Sequence, residues 1–248
     1  MNNAEYMKQY DKSVIQQEGI LYNSLSKSLF TELSYLHTKI DAANNAEMLT
    51  IVEYFQIQQS EEIIKQRIKR SAKLAGNLIQ KRLLSKKNEF DFLIDTYIER
   101  FALFQVTKIT ETIRGQIRTI IQNAINEGFG AKKTAELFSN AMPIISINRA
   151  LVIARTEING AFNYGAYTKA QEIAGKFPEL SIQKKWKANI DNRERKTHRA
   201  ANELEYRDMG EAFNVGNSLM QRPHDPAGEA KEIIQCRCTL LYKRESEI

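Results

Sequence analysis

The feature that most constrains this fold is the absence of proline from the first 142 residues of a 248-residue chain. Because proline interrupts helices and marks turns, so long a stretch without it favours long helices and disfavours a turn-rich all-β fold. Between residues 6 and 40 the apolar side chains recur at steps of three and four: Leu21, Leu25, Leu29, Leu33, Leu36 and Ile40. This spacing predicts one long helix with a single buried stripe.

A second apolar pattern runs from about residue 49 to about residue 84, after a turn-forming segment at 41–45. It predicts a second helix, and with the first a helical hairpin. Further helices are predicted over residues 90–125, 131–140 and 146–175, with Pro143 between the last two.

The composition of the sequence changes after Pro178, where glycine and proline become more frequent. In residues 232–242 apolar and polar side chains alternate enough to predict a strand. The expected fold class is therefore α+β. A long N-terminal helical arm or hairpin bundle, residues 1–127, is followed by a small C-terminal domain, residues 128–248, with helices and a short antiparallel sheet.

Composition excludes several classes of protein. No stretch approaches about 18 uninterrupted apolar residues and the amino terminus is polar, so we expect neither a membrane span nor a signal peptide. The two cysteines stand one residue apart, too few and too close for a disulfide framework, which favours a reducing compartment. Nucleotide-driven and zinc-protease chemistry lack support because no Walker loop, dinucleotide fingerprint or H-E-x-x-H motif occurs.

Residues 63–88 contain nine basic side chains and no acidic one, in a chain of net charge +6. On a helical wheel, Ile64, Ile68 and Ile79 lie on one side and most of the basic residues on the other. Such a face predicts binding to a polyanion such as DNA, and the alternative is a solvated face that meets an acidic partner helix. The residues expected to contact nucleic acid are Lys65, Lys69, Arg70, Lys73 and Lys81.

The second part of the chain contains a series of short motifs at characteristic spacings. In order they are Arg155-Thr-Glu157, Lys185-Trp186, Asp191-x-Arg193-x-Arg195-x-x-His198, Phe213-x-Val-Gly216, Pro223-x-Asp225-Pro226 and Glu232-x-x-x-Cys236-Arg-Cys238. Together they resemble the phage head morphogenesis domain, the family of minor head proteins similar to protein F of phage Mu, over about residues 128–242. Two positions depart from the family pattern: His224 stands where glycine is usual, and Gln235 where asparagine is usual.

The resemblance implies a virion component, present in few copies near the portal vertex or in the capsid interior and assembled in the host cytoplasm. It implies a role in head assembly, DNA packaging or genome delivery, without enzymatic activity. The implied partners are the portal protein, other head proteins and packaged DNA. The long apolar stripes of the helical arm separately predict self-association through that arm. A relative encoded by an integrated element in a host genome is an alternative source.

We expect the motif residues to form a structural polar network in which Trp186 is a core anchor. In this interpretation Asp191 caps a short helix that begins near Arg193, and the arginines bridge carboxylates. The alternative is a metal-dependent nuclease or transferase acting on nucleic acid, in which a carboxylate orients a histidine. The network comprises Arg155, Glu157, Trp186, Asp191, Arg193, Arg195, His198, Asp225, Glu232, Cys236 and Cys238.

Cys236 and Cys238, with His198 or His224, offer the donor types of a tetrahedral zinc site. The C-x-C spacing differs from the usual C-x₂₋₄-C, and two cysteines on one face of a strand serve core packing equally well. The sequence therefore predicts no resident cofactor, with zinc as the alternative.

Overall fold

The computed structural model describes residues 1–84 and 103–245. The predicted α+β class is confirmed. In chain order the elements are α1 (Asn3–Asp41), α2 (Asn45–Glu53), α3 (Gln58–Leu83), α4 (Leu103–Asn126), α5 (Ala131–Lys176), β1 (Ile182–Lys187), α6 (Lys196–Glu203), β2 (Arg207–Asp208), β3 (Phe213–Val215), β4 (Ser218–Met220), α7 (Ala230–Ile233) and β5 (Thr239–Arg244). The part of the predicted helix at 90–102 lies outside the described residues.

The first helix, α1, confirms the apolar periodicity from which it was predicted. Leu21, Leu25, Leu29 and Leu33 are fully buried, as is Ile40 at the end of the stripe. Each full burial of a leucine stabilises the fold by about 1.5–3 kcal/mol, so tertiary packing of this stripe outweighs local helix propensity.

The predicted single helix over residues 49–84 is wrong, because the chain forms α2 and α3 with a break between Glu53 and Gln58. The N-terminus of α3 is satisfied by a carboxylate from α1: Glu32 accepts a hydrogen bond of 2.8 Å from the backbone N–H of Gln59. The hydroxyl of Ser60 donates to the same carboxylate. The first N–H groups of a helix have no partner within it, so a carboxylate placed there stabilises the new helix start.

The prediction of two helices separated by Pro143 is also wrong, because α5 continues through this proline. Proline removes one intrahelical hydrogen bond and usually costs about 3 kcal/mol inside a helix. Phe138 and Met142 are buried just before it, and the Ser146 hydroxyl donates 2.9 Å to the carbonyl of Pro143. Burial on both sides of the proline offsets its local cost, which a propensity argument does not include.

By length and composition alone, α5 could cross a membrane, and it is the single helix of the described residues that meets this test. Many of its apolar side chains are instead buried within the protein, including Ile153, Ile158, Ala161 and Phe162. Core helices of folded proteins share this composition.

The contacts divide the described residues into two compact units. The first contains residues 1–19, 67–84 and 155–245, and the second contains residues 20–66 and 103–154. Because each unit combines segments that are distant in sequence, the units do not coincide with the boundary predicted near residue 127. Domains at 1–127 and 128–248 stay a prediction.

The first unit contains an antiparallel sheet of order β2-β1-β5 and a separate β3-β4 hairpin. In the central strand pair, Trp186 lies opposite Leu240. The predicted strand over 232–242 is only partly correct, because its first half forms the one-turn helix α7 and a turn. Gln235 has a left-handed conformation, with φ of 57°, which reverses the chain before β5 begins at Thr239.

Candidate functional site

Trp186 is the centre of the small C-terminal core. Its side chain projects from β1, is fully buried, and packs edge-on against the rings of His198 and Phe213 at centroid distances of 5.7 and 5.4 Å. Edge-on aromatic pairs add about 0.5–1.5 kcal/mol beyond the burial of their surface. This packing fixes the position of α6 and of the histidine that it presents.

Four buried motif residues meet at the His198 ring, and we call them the histidine–cysteine cluster: His198, Glu232, Cys236 and Cys238. Its Nδ1 atom lies 3.2 Å from Cys238 Sγ and 3.6 Å from Cys236 Sγ. Its Nε2 atom lies 3.0 Å from Glu232 Oε2. Each of the four residues is exposed by 3% or less, so the structure brings these predicted residues together in the protein interior.

The position of Glu232 depends on Thr197 and Gly216. The Thr197 hydroxyl donates 2.9 Å to Glu232 Oε2. A Cβ atom at Gly216 would lie 2.8 Å from Glu232 Oε1, and the φ of this glycine is 62°. Glycine adopts this backbone conformation without strain, and a larger residue here would force the Glu232 carboxylate to shift.

One face of α5 holds the segment around the two cysteines. Asn163 Nδ2 donates 3.0 Å to the carbonyl of Cys238, and Thr156 Oγ1 accepts 3.1 Å from the backbone N–H of Gln235. Sequence reasoning missed both residues. The sequence signal that could have identified them is the seven-residue separation between Thr156 and Asn163. It places two polar side chains on the same face of a helix that is otherwise apolar on its packing side.

The two thiols influence each other directly. Their contact holds the pKa of Cys236 well below its usual value, while the same contact and burial raise the pKa of Cys238. The pair therefore releases its first proton more easily than an isolated buried thiol does.

Asp191 forms a two-point ion pair with Arg237, at 2.6 and 2.8 Å. Arg193 adds a contact of 3.1 Å to the same carboxylate. These arginines hold the pKa of Asp191 well below its usual range, with the Arg237 hydrogen bond as the largest cause. Sequence reasoning missed Arg237 as a site residue, although it stands between the two cysteines.

The predicted roles of Asp191 and Arg195 need correction. Helix α6 begins at Lys196 and Arg195 occupies its N-cap position, so Asp191 does not cap it. Arg195 donates 2.6 Å to the carbonyl of Ile234 and does not bridge a carboxylate. The predicted bridge from arginine to carboxylate forms at Asp191, whereas Glu232 contacts His198 and Thr197.

Arg155 and Glu157 lie on α5 with separate environments. Arg155 Nη1 donates 3.3 Å to Gln235 Oε1. Glu157 is buried, and desolvation raises its pKa to about 7, an effect that the charge of His224 partly opposes. A carboxyl with this pKa changes its charge near neutral pH.

Asp225 organises the loop after β4. Its two carboxylate oxygens accept hydrogen bonds from the backbone N–H groups of Gln221 and Ala227, at 2.7 and 3.0 Å. Beside this loop the fully buried Lys184 donates 2.7 Å to Gln221 Oε1, and desolvation lowers the pKa of Lys184 to about 8. Sequence reasoning missed Lys184 because a lysine within a short strand ordinarily faces solvent.

Both departures from the family pattern fall on left-handed residues. His224 and Gln235 each have φ of 57°. Glycine and asparagine, the residues that the resemblance led us to expect at these positions, adopt this conformation more readily than other residues. In this chain the His224 side chain instead contacts the carbonyl of Cys236 through Nε2, at 2.9 Å.

The basic residues of α3 divide by exposure. The predicted apolar side is confirmed, with Ile64, Ile68 and Ile79 exposed by 2% or less. Residues 85–88 of the basic window lie outside the described part of the chain. Of the five residues expected to contact nucleic acid, Arg70 and Lys81 are exposed, Lys69 and Lys73 are half-buried, and Lys65 is half-buried and paired with Glu61.

Comparison with curated proteins identifies two relatives. The minor head protein GP7 of Bacillus phage SPP1 is 23% identical over 277 aligned positions, which cover 100% of this chain and 88% of that protein. The NAD(+)–arginine ADP-ribosyltransferase EFV of Enterococcus faecalis is 31% identical over 129 positions, which cover 50% of this chain but 25% of that enzyme. No solved structure matches significantly.

The family model described as Phage Mu protein F like protein matches residues 115–241. This stretch is just over half of the chain and includes the histidine–cysteine cluster, the Asp191–Arg237 pair and the α5 face that holds them. The chain therefore belongs to the family of proteins like protein F of phage Mu.

Proposed function

We propose that this chain is a non-enzymatic minor head protein of a phage. In this proposal it resides in the virion at or near the portal vertex and acts in head assembly, DNA packaging or genome delivery. Its support is the similarity to a minor head protein along the whole chain, together with the family match.

The observation that most favours a structural role is the burial of the chemically active motif residues. His198, Glu232 and both cysteines are almost fully enclosed, and each contacts another member of the cluster. A nuclease or transferase would have to present such groups to its substrate. The similarity to the ADP-ribosyltransferase covers a quarter of that enzyme and does not bring its activity to this chain.

The portal-associated role is tested by particle composition. The chain is co-expressed with the major capsid and scaffolding proteins of the phage that encodes it, with and without the portal protein. We expect particles with portals to contain a few copies of the chain and particles without portals to lack it, as measured by quantitative mass spectrometry. Equal amounts in both preparations, or none in either, would contradict the portal-associated role.

The same proposal assigns DNA contact to α3. Lys69, Arg70, Lys73 and Lys81 are replaced by glutamine, and a control variant has four exposed lysines elsewhere replaced: Lys12, Lys132, Lys133 and Lys196. Binding of duplex DNA should be insensitive to sequence and fall with salt, with a logarithmic slope reduced by about 0.9 for each phosphate contact removed. Equal loss of affinity in both variants would indicate net charge alone, and no binding by the wild type at low salt would exclude DNA as the ligand.

Self-association through the helical arm is the remaining proposed contact. Sedimentation of the purified chain over a range of concentrations tests it. A concentration-dependent increase in mass is expected, and a monomer at all concentrations would show that assembly contacts are made to other head proteins alone.

A further inference from the structure

The histidine–cysteine cluster brings together three atoms that bind metals well. His198 Nδ1, Cys236 Sγ and Cys238 Sγ lie within 4.8 Å of one another. In a tetrahedral zinc site with bonds near 2.0 Å to nitrogen and 2.3 Å to sulfur, neighbouring N and S atoms are about 3.5 Å apart. The two N···S distances here, 3.2 and 3.6 Å, are close to that spacing.

We propose that His198, Cys236 and Cys238 bind one zinc ion, which links α6 to the segment that precedes β5. This site goes beyond the role in the phage head, which does not depend on it. Thiolate sulfur and imidazole nitrogen together favour zinc over magnesium or calcium, which prefer oxygen ligands.

Ordinary hydrogen bonding explains this arrangement less completely. Glu232 Oε2 faces His198 Nε2, and a proton on Nε2 leaves a single lone pair on Nδ1. One thiol can donate to that lone pair and the other thiol to the sulfur of the first, yet both sulfur atoms lie within 3.6 Å of the nitrogen. A cation bound by the nitrogen and both thiolates accounts for the position of all three.

The position of Glu232 is an independent observation that supports the same site. Histidines that bind metals commonly donate their other ring N–H to a carboxylate, which fixes the tautomer and orients the ring. Glu232 is exposed by 3%, and its Oε2 atom lies 3.0 Å from His198 Nε2. The Thr197 hydroxyl donates to this carboxylate, and Gly216 leaves space for it. The carboxylate therefore occupies the position of an orienting partner and leaves Nδ1 for the ion.

The charges at the proposed site balance locally. As the ion binds, both thiols release their protons to solvent, and two thiolates neutralise the double positive charge. His198 binds as a neutral ring. Within the described residues three ligand atoms come together, so the fourth place in the tetrahedron is assigned to a water molecule.

Elemental analysis of the full-length chain tests the proposal. After expression in zinc-supplemented medium and gel filtration, the wild type should contain about one zinc per chain. Cys236→Ser, Cys238→Ser and His198→Ala should each contain less than about a fifth of that amount, and the control His37→Gln should match the wild type. Because Cys236 and Cys238 are the chain's two cysteines, thiol titration reports on this site alone.

Two further measurements keep the test decisive if a ligand variant fails to fold. Cobalt added to the metal-free wild type should give the thiolate charge-transfer band of a tetrahedral site. Glu232→Gln retains all three ligands and should bind zinc about 10–100-fold more weakly in competition with a chelator. A folded wild type that binds neither zinc nor cobalt, or zinc retained by the Cys236→Ser/Cys238→Ser double variant, would overturn the proposal and leave the head-protein role standing.

Discussion

The N-terminal helices and the segment at residues 182–245 have different kinds of interior. The buried stripe of α1 consists largely of leucine and isoleucine at regular steps. The C-terminal interior instead contains Trp186 together with a histidine, a glutamate, two cysteines and a lysine, all buried. An apolar stripe is specified locally, whereas buried polar groups must find partners that are distant in sequence. The C-terminal interior should therefore be the more sensitive to substitution.

The largest expected effect comes from Trp186→Ala. Removal of this fully buried ring should lower the free energy of unfolding by about 3–5 kcal/mol and loosen α6. Chemical denaturation followed by circular dichroism measures it, since the variant lacks the chain's single tryptophan. The control Tyr54→Ala removes an aromatic ring that is 78% exposed and should change stability by no more than about 0.5 kcal/mol. Similar values for both would contradict the central position of Trp186.

Glu157→Gln should stabilise the protein in a pH-dependent way. The pKa of Glu157 is about 7 in the folded state and about 4.3 when unfolded, so its contribution is most favourable below pH 4 and declines as pH rises through 7. Glutamine does not titrate, and its advantage should grow to about 3 kcal/mol at pH 8.

Unfolding free energies at pH 5 and pH 8 measure this effect of Glu157→Gln. The matched variant Glu136→Gln changes an exposed glutamate on the same helix and should show no comparable change between these pH values. A Glu157→Gln difference that stays constant with pH would show that the carboxyl is ionised throughout.

In the helical region, Glu32→Ala should cost about 1–2 kcal/mol, because it removes the carboxylate that accepts from the N-terminus of α3. The control Glu62→Ala removes an exposed glutamate near the start of α3 and should cost less than about 0.5 kcal/mol. The thermal unfolding midpoints of the two variants measure this difference. Equal effects would show that the charge near the helix end matters and the cross-helix hydrogen bond does not.

The smallest effect concerns backbone conformation. Gln235→Gly should stabilise the protein by about 0.5–1 kcal/mol, because glycine adopts the left-handed conformation without strain. The same substitution at Gln66, within α3, should destabilise it by about 0.5–1 kcal/mol. The two variants should shift the unfolding midpoint in opposite directions. If Gln235→Gly lowers the midpoint, the side-chain contact of Gln235 with Arg155 outweighs the backbone strain.

Local patterns predicted much of the helical architecture but misplaced its interruptions. The break before Gln58 depends on Glu32, which stands 27 residues earlier than the N–H group it accepts from. The continuity of α5 through Pro143 depends on burial that a propensity argument does not include. At the candidate site, the motif residues were identified, but Arg237, Thr156 and Asn163 were not.

By itself, the sequence determined the helical periodicity, the α+β class and the membership in a phage protein family, because these depend on local spacing and on the order of short motifs. Only the tertiary structure decided which polar groups pair: Asp191 with Arg237, and His198 with Glu232 and two thiols. The physical reason is that an apolar side chain is stabilised by burial against almost any apolar neighbour. A buried polar group instead needs one particular partner at hydrogen-bonding distance, and chain folding selects that partner.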